Sequence, residues 1–149
     1  MIALSDISRC YGCGTRNPIG LHLSQHARRV DDDIVIDVSL GPFFAGYPGI
    51  THGGVIATML DEAIGMHAFG VLGVEAPTAQ LNISYRAPVP TETSIQVRGR
   101  GTREGRRVHS TAEVTDVAGA VLASAEAVMV VTGEVAEESR LEYLDALGS

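Results

Sequence analysis

The sequence predicts an α+β fold, an antiparallel β-sheet with one long helix against one face. Two observations carry this. Residues 53–71 hold the one long helical pattern, with Val55, Ile56, Met59, Leu60, Ala63 and Ile64 forming a broad apolar stripe. After Gly73 the apolar period changes to two, and short alternating runs follow one another as far as Val131. Turn signals of the hairpin kind join several of these runs, so sequence neighbours should pair antiparallel.

Taken in order, residues 1–19 read as irregular. Cys10-Tyr11-Gly12-Cys13-Gly14 and Asn17-Pro18-Ile19-Gly20 are dense in turn formers. Leu21 to Val30 is predicted as a first strand. Ile34, Ile36, Val38 and Leu40 alternate with Val35, Asp37 and Ser39, which predicts a second, half-buried strand. Gly41-Pro42 through Pro48-Gly49 is loop and leads into the helix. Leu81, Ile83 and Tyr85 alternate with Gln80, Asn82, Ser84 and Arg86, and Pro88 and Pro90 stop that strand. Ile95 and Val97 alternate with Gln96, Arg98 and Arg100. Val108, Ser110, Ala112 and Val114 alternate with Arg107, His109, Thr111 and Glu113, and Glu104-Gly105 closes this pair into a hairpin. Val117 to Ala120 opens another hairpin. The strand after it, Val121 to Val131, is apolar on nearly both faces and is expected to be central. Residues 134–149 are acidic and should form a short helix or a frayed end.

The whole chain of 149 residues fits one domain, with 45% hydrophobic and 19% charged residues. A net charge of −7 argues against a nucleic-acid partner, because no basic surplus exists to displace counterions. Asp61 and Glu62 interrupt the most apolar helix, so no stretch of about 20 uncharged residues is available to span a membrane. The N-terminus shows no basic-then-apolar signal pattern, and only two cysteines occur, so a cytoplasmic location is expected. A single sheet with one helix leaves edges and area uncovered, for which a homo-oligomer is the simplest remedy.

One face of the helix stands apart. Around Asp61 lie Gly54, Ala57, Thr58, Gly65 and Ala68, all small. That face leaves room for another backbone or a substrate to approach the carboxylate.

His52-Gly53-Gly54, with Asp61 nine positions after the histidine, resembles the signature of hotdog-fold acyl-CoA thioesterases of the PaaI, 4-hydroxybenzoyl-CoA thioesterase-like type. So does Thr78-Ala79-Gln80-Leu81-Asn82-Ile83-Ser84-Tyr85 with the following Arg86-Ala87-Pro88. The Cys-x-x-Cys-Gly-x-x-Asn-Pro-x-Gly-Leu run from Cys10 to Leu21 also recurs in that group. The resemblance covers about residues 10–132 and implies a hotdog fold, with the sheet wrapped around the long helix. It implies a homodimer, or a tetramer built from two dimers, with two active sites at the dimer interface. Asp61 then matches the catalytic carboxylate. Gly53 matches the glycine whose amide, from the other subunit, binds the thioester carbonyl. His52 would help to hold or polarise that carbonyl, and Thr78 would orient the attacking water. Gly54 and Gly46 fall at substrate-binding positions. Some relatives place Asn or Gln where this chain has Gly46, six residues before the histidine. The substrate implied is an acyl-CoA, with no metal and no organic cofactor.

The residue types suit that chemistry. Unpaired amides at a helix N-terminus, backed by the helix dipole, can hold negative charge on a carbonyl oxygen. A carboxylate can serve as general base, or as nucleophile through a mixed anhydride. Plainer readings stand beside these. Asp61 could be a solvated helix position, His52 a cap, Thr78 an ordinary strand residue, and Glu62 is expected to be a surface charge. Cys10 and Cys13 read as a turn near the active-site mouth, since a four-ligand zinc site would also need His22 or His26. The basic cluster Arg98, Arg100, Arg103, Arg106 and Arg107 is either a solvated hairpin face or a clamp for the phosphates of coenzyme A. Rival functions are a non-catalytic acyl-CoA-binding hotdog, a metal or redox module built on the cysteines and, by fold alone, a dehydratase.

Overall fold

Six strands form one antiparallel sheet in a computed structural model that describes residues 7–149. Its strands are β1 (Ala27–Val30), β2 (Asp33–Val38), β4 (Thr78–Tyr85), β5 (Ile95–Glu104), β6 (Arg107–Thr115) and β7 (Val121–Val130), in the spatial order β1-β2-β5-β6-β7-β4. A ribbon of two residues each, β3 (Val74–Glu75) and β8 (Gly133–Glu134), lies apart from it. The long helix α1 (Gly53–Gly70) crosses one face of the sheet, and α2 (Glu137–Ala146) ends the chain. No helix among the described residues is long and apolar enough to cross a membrane.

The helix pattern resolves as expected. Ile56, Met59, Leu60, Ala63 and Ile64 are buried, while Val55 is only half-buried. Fully burying each large side chain of this stripe contributes about 1.5–3 kcal/mol. The helix packs on β5, β6 and β2, and it comes closest at Gly99 of β5. A Cβ added at Gly99 would lie 2.6 Å from the Ala63 carbonyl group, so only glycine lets the helix sit this deep. That contact fixes the height of Asp61 above the sheet.

One expectation needs correction, one element is additional, and the C-terminal tail takes the helical one of its two expected forms. Leu21 to Val30 is not one strand: Leu23–His26 is a 3-10 turn entered through His22 at φ 54°, and pairing begins only at Ala27. The β3–β8 ribbon was not foreseen, because two residues are too short to show a period. The C-terminal tail is a docked helix, with Glu137 and Glu138 favourably placed in its first turn. Tyr143 of that helix packs edge-on against Phe69, with ring centroids 4.9 Å apart. As expected, β7 is flanked on both sides, by β6 and β4. β4 is an edge strand, and Ala79, Gln80, Asn82, Ser84 and Tyr85 on it are exposed.

His67 gives the core a pH dependence. It is 2% exposed, and Nδ1 has no hydrogen-bond partner among the described residues. Burial holds its pKa below 6.5, against the opposing pull of the Asp32 backbone and the Asp33 and Asp32 charges. Its folded pKa lies below the unfolded value. The stability it contributes is therefore complete above about pH 6.5 and is lost as pH falls through the folded pKa. Thermal melts from pH 7.5 down to pH 5 should show a steeper fall in midpoint for wild type than for His67→Gln. Parallel curves would remove His67 as the source.

Candidate active site

The chain places its candidate residues in two clusters along α1. At the helix start, His52 is the N-cap, and its Nδ1 accepts the Gly54 amide at 2.9 Å. The imidazole nitrogen facing that amide therefore carries no proton, which leaves the proton on Nε2. The Val55 and Ile56 amides both donate to the His52 carbonyl, at 2.9 and 3.1 Å. Four amides open any α-helix without an intrahelical acceptor. Three are satisfied here, His52 by the Phe44 carbonyl, Gly54 by the His52 ring and Val55 by the His52 carbonyl, and the Gly53 amide has no partner among the described residues. Tyr85, at the end of β4, donates its hydroxyl to the Gly53 carbonyl at 2.8 Å.

A cleft of about 700 Å³ opens on this helix start, lined by Gly46, His52, Gly53, Ile56, Tyr85 and Arg86 among others. Gly46 sits against His52: a Cβ there would lie 3.4 Å from the His52 Cα. A side cleft of about 480 Å³ joins His52 and Val55 to Tyr11, Ile19 and Phe43. Phe43 and Tyr47 are 97% and 81% exposed at this end of the molecule. A cleft of about 720 Å³ that includes Asn82, Arg100, His109 and Glu126 shares no residue with either cluster.

The second cluster is Asp61 with Thr78. The Thr78 hydroxyl donates to Asp61 Oδ1 at 2.7 Å, which ties the middle of α1 to the first residue of β4. Asp61 is half-buried, so the carboxylate is reachable from outside the chain. Eight residues separate Gly53 from Asp61, and at 1.5 Å per residue that is about 12 Å along the axis. A carbonyl oxygen and the water attacking its carbon sit about 3 Å apart. Within one chain the two groups therefore sit about two helical turns apart along the axis.

A third group lies behind Asp61. Glu62 was expected to be a surface charge and is not one. The Cys10 thiol lies 3.4 Å from its Oε1, and the backbone of Gly12 closes over it. Burial, with the neighbouring Cys10 and the Asp61 charge, pushes the Glu62 pKa up to about 8. Hydrogen bonding from Cys13 brings Cys10 down to about 5, while Cys13 itself is pushed well up by its bond to Cys10 and by burial. His22 and His26 are elsewhere: the His22 ring bonds the Asn17 carbonyl, and His26 lies near Asp37.

The arginines do not gather at the helix start. Arg98 and Arg100 both pair with Asp33, at 3.1 and 2.9 Å, and Arg103 pairs with Glu134 at 2.7 Å. Arg106 lies at the turn between β5 and β6, outside the His52 cleft. The cleft's own cation is Arg86, which bonds the Ser124 hydroxyl at 3.3 Å. Tyr85 and Arg86 were quoted in the sequence pattern without a role. The available signal was a tyrosine at the end of an alternating strand, followed by Arg86 and Pro88; its nearness to the helix start arises only in the fold.

Residues 48–119 match the family model of the thioesterase superfamily, a span that includes His52, Gly53, Asp61 and Thr78. That matched span is just under half of the chain. Among curated relatives, the chain is 36% identical over 75 residues to acyl-coenzyme A thioesterase THEM4 of Xenopus laevis, covering 50% of this chain and 33% of that protein. The rat THEM4 is 35% identical over 101 residues, covering 66% and 43%. The chain thus spans about a third to two fifths of the length of these relatives. A hypothetical thioesterase protein from Streptococcus pneumoniae, solved with coenzyme A, superposes with a TM-score of 0.68 at 23% identity, over 74% of this chain and 87% of that one. The six-stranded antiparallel sheet laid against one long helix is the hotdog fold of this superfamily.

Proposed function

We propose that this chain is a member of the thioesterase superfamily, an acyl-CoA thioesterase that works as a homodimer with each site built from two chains. The hydrogen bond between Thr78 and Asp61 carries the reading, because it aims a carboxylate outward across a small-residue face. The thioesterase names of the curated relatives, and the coenzyme A held by the streptococcal neighbour, support the substrate class.

In this reading the Gly53 amide of one chain receives the thioester carbonyl oxygen. Asp61 of the second chain acts from the opposite side, as base toward water or as nucleophile, and Thr78 holds one of its oxygens in place. His52 Nε2 is the second donor at the carbonyl. It takes the place left by Gly46, where a longer polar side chain would otherwise reach in. Arg86 is the cation nearest the cleft for a coenzyme A phosphate.

Two features favour a second copy over a lone chain. The edge strand β4 presents an unpaired ladder next to Thr78. Gly65, one turn after Asp61, has nothing within 4 Å of an added Cβ. A glycine inside a helix costs about 1 kcal/mol relative to alanine, so an uncrowded one needs a reason from outside the chain.

A panel of short, medium, long and aromatic acyl-CoAs, followed by thiol release, tests the function. Turnover of at least one member is expected, from a species eluting as a dimer or larger. Tight acyl-CoA binding with no thiol release across the panel would overturn hydrolysis in favour of a binding protein.

A further inference from the structure

Two thiol sulfurs and one carboxylate oxygen, from Cys10, Cys13 and Glu62, lie within 4.8 Å of one another, behind Asp61 and outside the proposed hydrolytic chemistry. The sequence treats the cysteines as a simple turn, because no second pair of thiols follows. The fold supplies the missing partner from 52 residues away, on α1. Gly12 is what allows it: a Cβ there would lie 2.1 Å from Glu62 Cγ, so the turn can close over the carboxylate only as bare backbone.

Two independent features of this pocket suit a cation. Glu62 has no basic partner among the described residues, whose ion pairs all lie elsewhere. A carboxylate largely removed from water is costly unless it is neutralised, by a proton or by a cation. The Cys13 amide, in turn, donates to Cys10 Sγ at 3.3 Å, inside a tight turn closed by the Gly14 amide on the Cys10 carbonyl. An amide aimed at sulfur favours the thiolate, the form in which cysteine ligates metal. The spacing of the thiol and carboxylate pair also fits. Tetrahedral zinc, with bonds of about 2.3 Å to sulfur and 2.0–2.2 Å to oxygen, holds such ligands about 3.5 Å apart. Cys10 Sγ and Glu62 Oε1 are 3.4 Å apart.

We propose that Cys10, Cys13 and Glu62 bind one thiophilic divalent cation of the zinc class, with water in the fourth position. Soft thiolates select such a metal over magnesium or calcium. Three anionic ligands outweigh its two positive charges and leave the site with one net negative charge, and neither His22 nor His26 is close enough to add a fourth. The ion would staple the N-terminal turn to α1 at the residue next to Asp61. Its role is to position that part of the helix; the reacting atoms are not its ligands.

The test needs no substrate and is independent of the hydrolytic reading. The full chain, reduced and stripped with a chelator, is titrated with Co²⁺ and then with Zn²⁺. Expected are one Co²⁺ per chain, a thiolate-to-cobalt charge-transfer band, its displacement by Zn²⁺, and a higher unfolding midpoint with Zn²⁺ bound. Cys10→Ser should diminish the band. Glu62→Gln keeps the side-chain shape, and should retain the band while weakening Zn²⁺ binding by about tenfold or more. Absence of the band in reduced wild-type protein overturns the proposal, as does unchanged Zn²⁺ affinity in both variants.

Discussion

Asp61→Asn is expected to lower kcat/KM for acyl-CoA hydrolysis by about 10²–10⁴, the usual contribution of a positioned general base. The substitution is chosen for what it preserves. Asparagine keeps the size of the side chain, and its carbonyl oxygen can still accept the Thr78 hydroxyl now 2.7 Å from Oδ1. It cannot take a proton from water or form an anhydride. Asp61 is half-buried and pairs with no cation among the described residues. Its loss should therefore change stability little, within about 0.5 kcal/mol as for most sites away from special features. Thiol release read beside a thermal melt and an elution profile separates the two effects. Turnover close to wild type in a folded, assembled Asp61→Asn protein would remove Asp61 from the reaction.

The same residue shows how far a sequence reaches. The long helix was legible because its apolar stripe repeats over five turns, and its observed end, Gly70, is one residue from the expected one. The β5–β6 hairpin was legible because strict alternation met a turn at Glu104-Gly105. Leu21 to His26 misled because apolar content there serves a 3-10 turn, whose left-handed entry at His22 leaves no mark on hydrophobic period. Glu62 misled for a different reason. A helical wheel tells that it points about 100° away from Asp61, but not that the Gly12 turn returns to cover it. Alternation likewise put Arg98 and Arg100 on one outward face, whereas their partner Asp33 is set by the register of β2 on β5. Asp61 and Thr78 were singled out through a family resemblance, and the bond joining them became visible only in the fold. Local periods are written in neighbouring residues. Contacts between distant segments depend on register and on which turn covers which face.

Gly53→Pro should cost about 10²–10³ in turnover, or roughly 3–4 kcal/mol of transition-state stabilisation, the loss seen when one oxyanion donor is removed. Proline fits the first position of a helix, where its fixed φ is already suitable. The preceding residue is also suited, since His52 at φ −58° and ψ 136° has the extended backbone that proline demands before it. What proline deletes is the Gly53 N–H, which makes no bond within the described chain. The helix should therefore form as before while the carbonyl loses its donor. The two variants together test the shared site. In a dimer of one Asp61→Asn chain with one Gly53→Pro chain, both changes fall in one site, and the other site is wild type at both positions. Random exchange makes half of the dimers mixed, each with one of two sites restored, so mixing two inactive proteins should recover about a quarter of wild-type turnover. If Asp61 and Gly53 of the same chain served one site, every site would carry a defect and mixing would recover nothing. Recovery on mixing, set against the roughly 12 Å between the two groups within one chain, would establish that each helix serves two sites.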